Sequence, residues 1–397
     1  MEADPRLGRE LMSRLGVRLT GALVALLAIA GLGAASSSSA GITAATGDPP
    51  PHIKHIFVIV LENEGFDSTF GPNSEAPYLA NNLRRRGELL PNYYGIGHFS
   101  LPNYIAMVSG QGPNPQTQID CQFFTEFRPG TPTSDGQYIG NGCVYPNGVE
   151  TVANQLEDAG YEWREYAQDM VVGSGPETTC RHPDINSRDE TQSAEKGDQY
   201  AARHNPFVYF HAIIDFDTCD ENVVGLERNF SRDLRHGRTT PNYSFITPNL
   251  CMDGHDEPCV NGKPGGLASA NEFLKRKIPR ILHSPAYKDR GLIIVTFDEA
   301  EASGGEADAR ACCNEQPGPN TINPGGPVPG PGGGRTGTIL ISPCIKPGSV
   351  DRHPYNHYSM LRTVENNFRL PHLGFAGQAG LKPFGATAFN RPGCGER

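Results

Sequence analysis

Residues 55–67, "HIFVIVLENEGFD", begin as one kind of structure and end as another. Ile56 to Leu61 is an unbroken apolar run, rich in β-branched types, of the length expected for a strand buried on both faces. It stops at a carboxylate and a carboxamide, Glu62 and Asn63. A later run, "GLIIVTFDEAE" at 291–301, repeats the pattern, with Leu292 to Phe297 followed at once by Asp298 and Glu299. In an open α/β sheet, side chains that act on ligands gather just beyond the carboxyl ends of the strands. Two strands delivering oxygen atoms to one edge would suit a divalent cation, because hard cations prefer carboxylate and amide oxygens. The plainer reading is that acidic residues after a strand cap the helix that follows.

Helix and strand signals alternate around these two runs. Residues 76–86 read as a helix ending before Gly87, and 102–109, behind "SLPNY", as another. A helix over Thr151–Ala159 is stopped by Gly160 and followed by a strand through Tyr166, while "FVYF" (207–210) and "NYSFITP" (242–248) read as short β runs. In "GGLASANEFLKRKIPRIL" (265–282), Leu267, Ala270, Leu274, Ile278 and Ile281 fall on one helical stripe, with Pro279 positioned to cut the last turn. Helix then apolar strand, repeated, predicts an α/β fold with helices on the faces of a mostly parallel sheet. Residues 314–335, dominated by Pro and Gly, predict a long irregular loop between two strands. That loop contains a formal G-x-G-x-x-G at Gly332, Gly334 and Gly337, but it precedes the strand "TGTILIS" and opens no helix, which argues against dinucleotide binding.

The chain has 397 residues, 37% hydrophobic and 20% charged, and this mixture predicts one large globular domain, with or without insertions. Its formal charge of −10 leaves no basic face for nucleic acid, and an anionic ligand would need a local device to overcome the repulsion. Arg6, Arg9, Arg14 and Arg18 precede a mainly apolar and small-residue run, Leu19 to Ala35. This order predicts a secretory signal peptide over residues 1–40, cleaved after Ala35 or Ala40, with a flexible linker to residue 54 and the globular domain over 55–397. The expected location is secreted or extracellular, or periplasmic or cell-surface if the segment is kept as an anchor. No later segment is long and apolar enough to span a membrane, so no transmembrane partner is expected. Ten cysteines suit an oxidising compartment. None are spaced C-x-x-C, and the adjacent Cys312 and Cys313 suit one zinc site poorly, so disulfides are preferred, Cys121–Cys143 and Cys251–Cys259 being the local pairs. Asn229 and Asn242 form N-x-S sequons that matter only in a glycosylating host.

Ser100 sits in "GIGHFSLPNYIAMVSG" (95–110), where a glycine-bearing loop meets a helix that Pro102 helps to start. As an N-cap it would accept from a first-turn amide; as a ligand-facing hydroxyl it would sit among free N–H groups that bind phosphate. Locally the cap is the simpler reading. Several histidines, His204, His255, His353 and His357, lie in polar Pro- and Asn-rich contexts. "DGHD" places Asp253, His255 and Asp256 within four residues, three potential ligands or proton carriers together.

Taken in order, "LENEGFD", "HFSLPNYIA", "RHNPFVYF", "SFITPNLCMDGHD", "LIIVTFDEAE" and "YNHYSMLRTVE" resemble the phosphoesterase family, from about His55 to Leu370. That family includes secreted bacterial acid phosphatases, some acting on phosphoinositides, and non-specific phospholipases C. The resemblance implies an alkaline-phosphatase-like three-layer α/β/α sandwich. It implies that Glu62, Asn63, Asp298 and Glu299 bind a divalent metal (Ca, Mg, Mn, Fe or Zn) together with Ser100, which takes the phosphoryl group. His204, Asp253, His255 and His357 then line the active site, and His98, Asn103 and Asp256 are further candidates. His255 or His357 would protonate the leaving alkoxide. Many members read Glu-Asn-Arg-Ser-Phe at the first motif, whereas Glu64 and Gly65 here withhold the basic residue. Members also vary at the position of Glu299. The implied substrate is a phosphorylated small molecule or a phospholipid headgroup, with phosphomonoester hydrolysis first. Phospholipase C activity and a catalytically inert exported calcium-binding protein are the alternatives.

Overall fold

In a computed structural model the described residues are 52–171, 175–176, 178–385 and 387–391. The predicted signal peptide, and the linker up to residue 51, lie outside them. Eight strands form the main sheet: β1 (His55–Leu61), β2 (Glu88–Leu90), β3 (Trp163–Ala167), β4 (Val223–Gly225), β5 (Tyr243–Thr247), β6 (Gly291–Phe297), β7 (Thr338–Ile341) and β8 (Ser349–Val350). Their order is β8-β2-β7-β6-β1-β5-β3-β4. Every pairing is parallel except the two made by β7, which runs against β2 and β6. The long Pro- and Gly-rich loop joins β6 to β7, as the sequence predicts.

Strand β1 is central and wholly buried. Alternation along it divides the core: Ile56, Val58 and Val60 face one hydrophobic cluster, and Phe57, Ile59 and Leu61 the other. On the first face lie α1 (Ser100–Ser109), α2 (Val152–Asp158) and α4 (His357–Phe368), which contribute Leu101, Ile105, Val152, Leu361 and Val364. On the second, α3 (Gly266–His283) buries Leu267, Ala270, Leu274, Ile278 and Ile281, the stripe read from the sequence. Helices thus cover both faces of the sheet, the three-layer arrangement that two-sided burial of the strands demands.

Two local readings are corrected. "FVYF" is not a strand: Pro206–Tyr209 form a 3-10 turn in which all four side chains are buried, and an apolar run of that length does not distinguish the two by pattern. Pro279 does not cut α3, which continues to His283. The missing proline donor falls in the last two turns of an 18-residue helix already anchored by its apolar stripe. Disulfides join Cys121–Cys143, Cys180–Cys219, Cys251–Cys259 and the adjacent Cys312–Cys313. The two local pairs predicted from the sequence are among them. Among the described residues no helix is long and apolar enough to cross a membrane.

Candidate active site

The parallel register Leu61↔Phe297 brings the ends of β1 and β6 level, and the Asp298 amide continues the ladder by donating to Leu61 O at 2.9 Å. Glu62 and Asp298 therefore emerge side by side at the carboxyl edge of the sheet. Asn63, in the left-handed region with φ 58°, turns the chain there and donates its amide to Asp298 Oδ1 at 3.1 Å. A third acid arrives from the segment after β5, because the Glu62 amide donates to Asp253 O at 2.9 Å. Glu62, Asp253 and Asp298 are each fully buried.

Helix α1 begins at Ser100, with Phe99 before it in the left-handed region at φ 70°. Ser100 caps nothing. Its hydroxyl donates to Glu62 Oε2 at 2.6 Å, and Tyr104, one turn on, donates to Glu62 Oε1 at 2.5 Å. The capping function is supplied from elsewhere: Asp120 Oδ1 accepts from the Leu101 amide at 2.9 Å. Asn103 braces the loop before the helix, its carbonyl oxygen accepting from the amides of Ile96 (2.7 Å) and Gly97 (3.1 Å) and its amide donating to Gly97 O (2.8 Å) and Phe99 O (3.0 Å).

The histidines divide by what their rings touch. His357 donates from Nε2 to Asp298 O at 2.6 Å and accepts at Nδ1 from the Tyr93 hydroxyl at 3.0 Å. Burial lowers its pKa to about 4, so it is a neutral prop beneath Asp298. His98 donates from Nε2 to Asp308 O at 2.9 Å, which leaves Nδ1 against Glu299 Oε2. Burial lowers the His98 pKa and raises that of Glu299 well above the usual range, which favours an uncharged pair with the proton on Glu299. Glu299 therefore serves His98 rather than lying open beside Asp298. His255 donates from Nδ1 to Asp256 Oδ1 at 2.8 Å and accepts at Nε2 from the Arg203 guanidinium at 3.1 Å, so both its nitrogens are engaged. His204 differs. It stacks on Tyr104 with centroids 5.3 Å apart, its Nε2 lies 3.3 Å from Glu62 Oε2 and its Nδ1 3.2 Å from Asp253 Oδ2, yet neither nitrogen is aligned for a hydrogen bond. His353 lies apart, on Asp351.

Burial pushes the pKa values of Glu62, Asp253 and Asp298 well above the carboxylate range, and two of them feel a second push from an acidic neighbour: Asp298 on Glu62 and Glu62 on Asp253. Desolvation and mutual repulsion both disfavour charge there, so the cluster calls for protons or a cation. Among the described residues no group of three or more His, Cys, Asp or Glu side chains is arranged as a ready-made metal cage. The donor chemistry nevertheless fits a hard cation: Asp298 Oδ2 and Asp253 Oδ2 are buried without any hydrogen-bond partner, and Glu62, which accepts from Ser100, is electrostatically coupled to both aspartates.

Three residues absent from the sequence reading hold this site together. Arg203 is buried, donates to Gln192 O at 3.0 Å as well as to His255, and lies 3.7 Å from Asp120 Oδ2. It is the cation that partly offsets Glu62 and Asp253. Asp120 and Tyr104 are the other two. Nothing local marks them, although "RHNPF" does place a basic residue directly before His204.

A family model described as the phosphoesterase family matches residues 72–371. A Kluyveromyces lactis protein named "Probable acid phosphatase" is 27% identical over 341 residues, which cover 85% of this chain and 63% of that one. This chain thus spans less than two thirds of that relative's length. The phosphatidylinositol-3-phosphatase of Mycobacterium tuberculosis is 24% identical over 330 residues, covering 83% of this chain and 81% of its own. Among solved structures, a protein in the alkaline phosphatase superfamily from Vibrio parahaemolyticus aligns with 14% identity and a TM-score of 0.45, covering 81% of this chain and 69% of that one. A match over three quarters of the sequence, which spans the helix start at Ser100, the end of β6 and the histidines of the site while beginning after Glu62 and Asn63, means that the chain belongs to the phosphoesterase family.

Proposed function

We propose that this chain is an exported phosphomonoesterase of the acid-phosphatase type that works through a phosphoserine at Ser100. The observation that carries the reading is the Ser100 hydroxyl, buried at the start of α1, donating to Glu62 rather than accepting from its own helix. Ser100 Oγ would pass its proton to Glu62 and attack phosphorus, the bond from phosphorus to the ester oxygen would break, and the departing alkoxide would take a proton from a histidine. Water would then attack the phosphoserine, the bond from phosphorus to Oγ would break, inorganic phosphate would leave, and the water's proton would return to the serine oxygen. His204 is the best-placed proton carrier, since neither of its ring nitrogens is held by a hydrogen bond, while His255 and His357 position Asp256, Arg203 and Asp298. Glu62, Asn63, Ser100 and Asp298 would hold a divalent cation. When bound, it would stabilise the serine alkoxide and offset charge on the phosphoryl oxygens. Arg203 adds fixed positive charge behind them. The disulfides suit a chain folded outside the cytosol.

The test is release of inorganic phosphate from p-nitrophenyl phosphate, with and without added divalent cations. Ser100→Ala should cut the rate by at least about 10³-fold and abolish acid-stable ³²P labelling while the circular dichroism spectrum is retained. Release of a phosphorylated headgroup from phospholipid, with none of phosphate, would instead make this a phospholipase C. Phosphate release no faster than background, and the same in Ser100→Ala, would instead support a catalytically inert calcium-binding protein.

A further inference from the structure

The formal charge of −10 is unevenly spread and conceals a basic face. Three stretches, "NNLRRRG" (81–87), "LERNFSRDLRHGRTTP" (226–241) and "GLASANEFLKRKIPRILHSPAYKDR" (266–290), hold 13 of the 34 Lys and Arg but only four of the 44 Asp and Glu. Each runs into the start of a strand: β2 at Glu88, β5 at Tyr243 and β6 at Gly291. Strands β2 and β6 both oppose β7, and β5 and β6 both run with β1, so all three start at the edge of the sheet opposite Glu62 and Asp298. At about 3.3 Å per residue, the seven residues of β1 put roughly 20 Å between the two edges. Contacts join the stretches over α3. Asn271 Oδ1 accepts at 2.9 Å from the amide of Tyr78, at the head of the helical segment that ends in the three arginines. Arg280 donates to Ser231 Oγ at 3.0 Å, and residues 285–288 pack against the turn at 237–239.

Helices on a parallel sheet point their carboxyl ends at this edge, and bases in a last turn answer the partial negative charge there. That covers a base or two per helix. It does not cover three arginines in succession, nor Arg235 and Arg238, which follow the helix ending at Asp233. The four acids are already answered: Asp233 is buried between Arg164 and Arg232, Glu227 accepts from Lys277 at 3.0 Å, Glu272 from Lys275 at 2.9 Å and Asp289 from Lys54 at 2.7 Å. Arg84, Arg85, Arg86, Arg235 and Arg238 are exposed, and among the described residues no carboxylate pairs with them. The patch ends where acids return, at a cavity of about 740 Å³ lined by Glu157, Glu162 and Glu221 as well as by Arg164, Arg232 and Arg238.

We propose that this face docks a linear phosphate polymer that carries no bases, with the Ser100 site left open at the opposite edge. The surface does not depend on what Ser100 does. Ten of the 13 basic side chains are arginine, whose planar fork grips a phosphate through two hydrogen bonds. A chain of phosphates also releases a condensed counterion for each charge it pairs, a gain that the scattered carboxylates of a protein partner do not offer. Among the described residues no large apolar side chain, and no Phe, Tyr or Trp, is exposed on the three stretches. Nothing there enters a lipid layer or stacks on a nucleic acid base.

The test separates docking from catalysis. Full-length Ser100→Ala, used so that hydrolysis does not consume the probe, is titrated against end-labelled inorganic polyphosphate and followed by fluorescence anisotropy. Saturable binding is expected at about 0.05 M salt, weakening about fiftyfold by about 0.2 M for four neutralised phosphates. The additional replacements Arg84→Ser, Arg85→Ser and Arg86→Ser should weaken it at least about tenfold at the lower salt. If that variant loses its thermal transition, Arg235→Gln with Arg238→Gln serves instead, both side chains being exposed. With Ser100 intact, either set of replacements should leave turnover of p-nitrophenyl phosphate at the parent's value. Absence of binding at the lower salt, affinity indifferent to salt, or equal affinity in parent and variants overturns the proposal. So does tighter binding of single-stranded DNA of matched charge, which would show that bases are read. A loss of turnover in the folded variants would also overturn it, by placing these arginines at the site instead of behind it. Polyphosphate binding by a chain that hydrolyses no phosphomonoester would refute the reading of Ser100 and leave this surface standing.

Discussion

Glu62 shows how one residue can be costly to the fold and, on the function proposed above, needed for the chemistry. It is fully buried, accepts hydrogen bonds from Ser100 and Tyr104, and shares its surroundings with Asp298 and Asp253. Glu62→Gln keeps the shape and an acceptor oxygen but removes one charge from a desolvated acidic cluster. It should lower phosphatase turnover by at least about 10²-fold while leaving the melting temperature in chelator unchanged or higher; a melting temperature that falls with activity would mark Glu62 as merely structural. Glu365 offers a comparison outside the site. On α4, its Oε1 accepts from the Leu373 amide at 2.8 Å, its Oε2 has no partner, and burial raises its pKa to about 8 from 4.5. Between those values the folded chain holds a proton that the unfolded chain has released. Its contribution is therefore complete below the unfolded pKa and declines by about 1.4 kcal/mol per pH unit as pH rises toward the folded pKa. Glu365→Gln retains the acceptor for Leu373 and should raise stability more at about pH 7.5 than at about pH 5. Denaturant midpoints displaced equally at the two pH values would contradict that raised pKa.

At the scale of elements, the site depends on how closely the β5-to-α3 segment approaches the end of β1. Gly254 has φ +116°, and a Cβ there would stand 2.7 Å from Glu62 O. Gly254→Ala therefore has to strain its own backbone or displace the strand end that carries Glu62. A loss of about 2 kcal/mol is expected, together with a fall in kcat that extra metal does not restore. Full activity in a folded Gly254→Ala protein would show that the end of β1 can shift harmlessly. The sequence made much of this legible: two apolar strands ending in acids announced the sheet edge, and the helical stripe from Leu267 to Ile281 announced a covering layer. Periodicity reports burial, which is why it succeeded there and failed at Pro206–Tyr209, where a 3-10 turn is buried as fully as a strand. Ser100 was ambiguous for a different reason. The competing cap, Asp120, lies 19 positions away from the amide it meets, and such a contact leaves no trace in local spacing.

The whole molecule adds a constraint on approach that no single element contains. Its formal charge is −10, the segments framing the site carry no charged side chain over residues 89–119 and 316–334, and the buried Arg203 is already shared among His255, Gln192 and Asp120. On the proposed function, a phosphomonoester dianion would thus meet a repulsive long-range field and two uncharged stretches of chain before it reaches Arg203. Repulsion between separated charges is screened over about 30 Å at 0.01 M salt and about 8 Å at 0.15 M. Raising the ionic strength across that interval should therefore increase kcat/KM for p-nitrophenyl phosphate through a lower KM, with kcat nearly constant. The gain should shrink at a pH where the substrate is a monoanion, because the repulsion scales with its charge. A decrease of kcat/KM with salt would instead reveal an attractive field at the mouth, and would place the dominant charge at the site rather than on the surface as a whole.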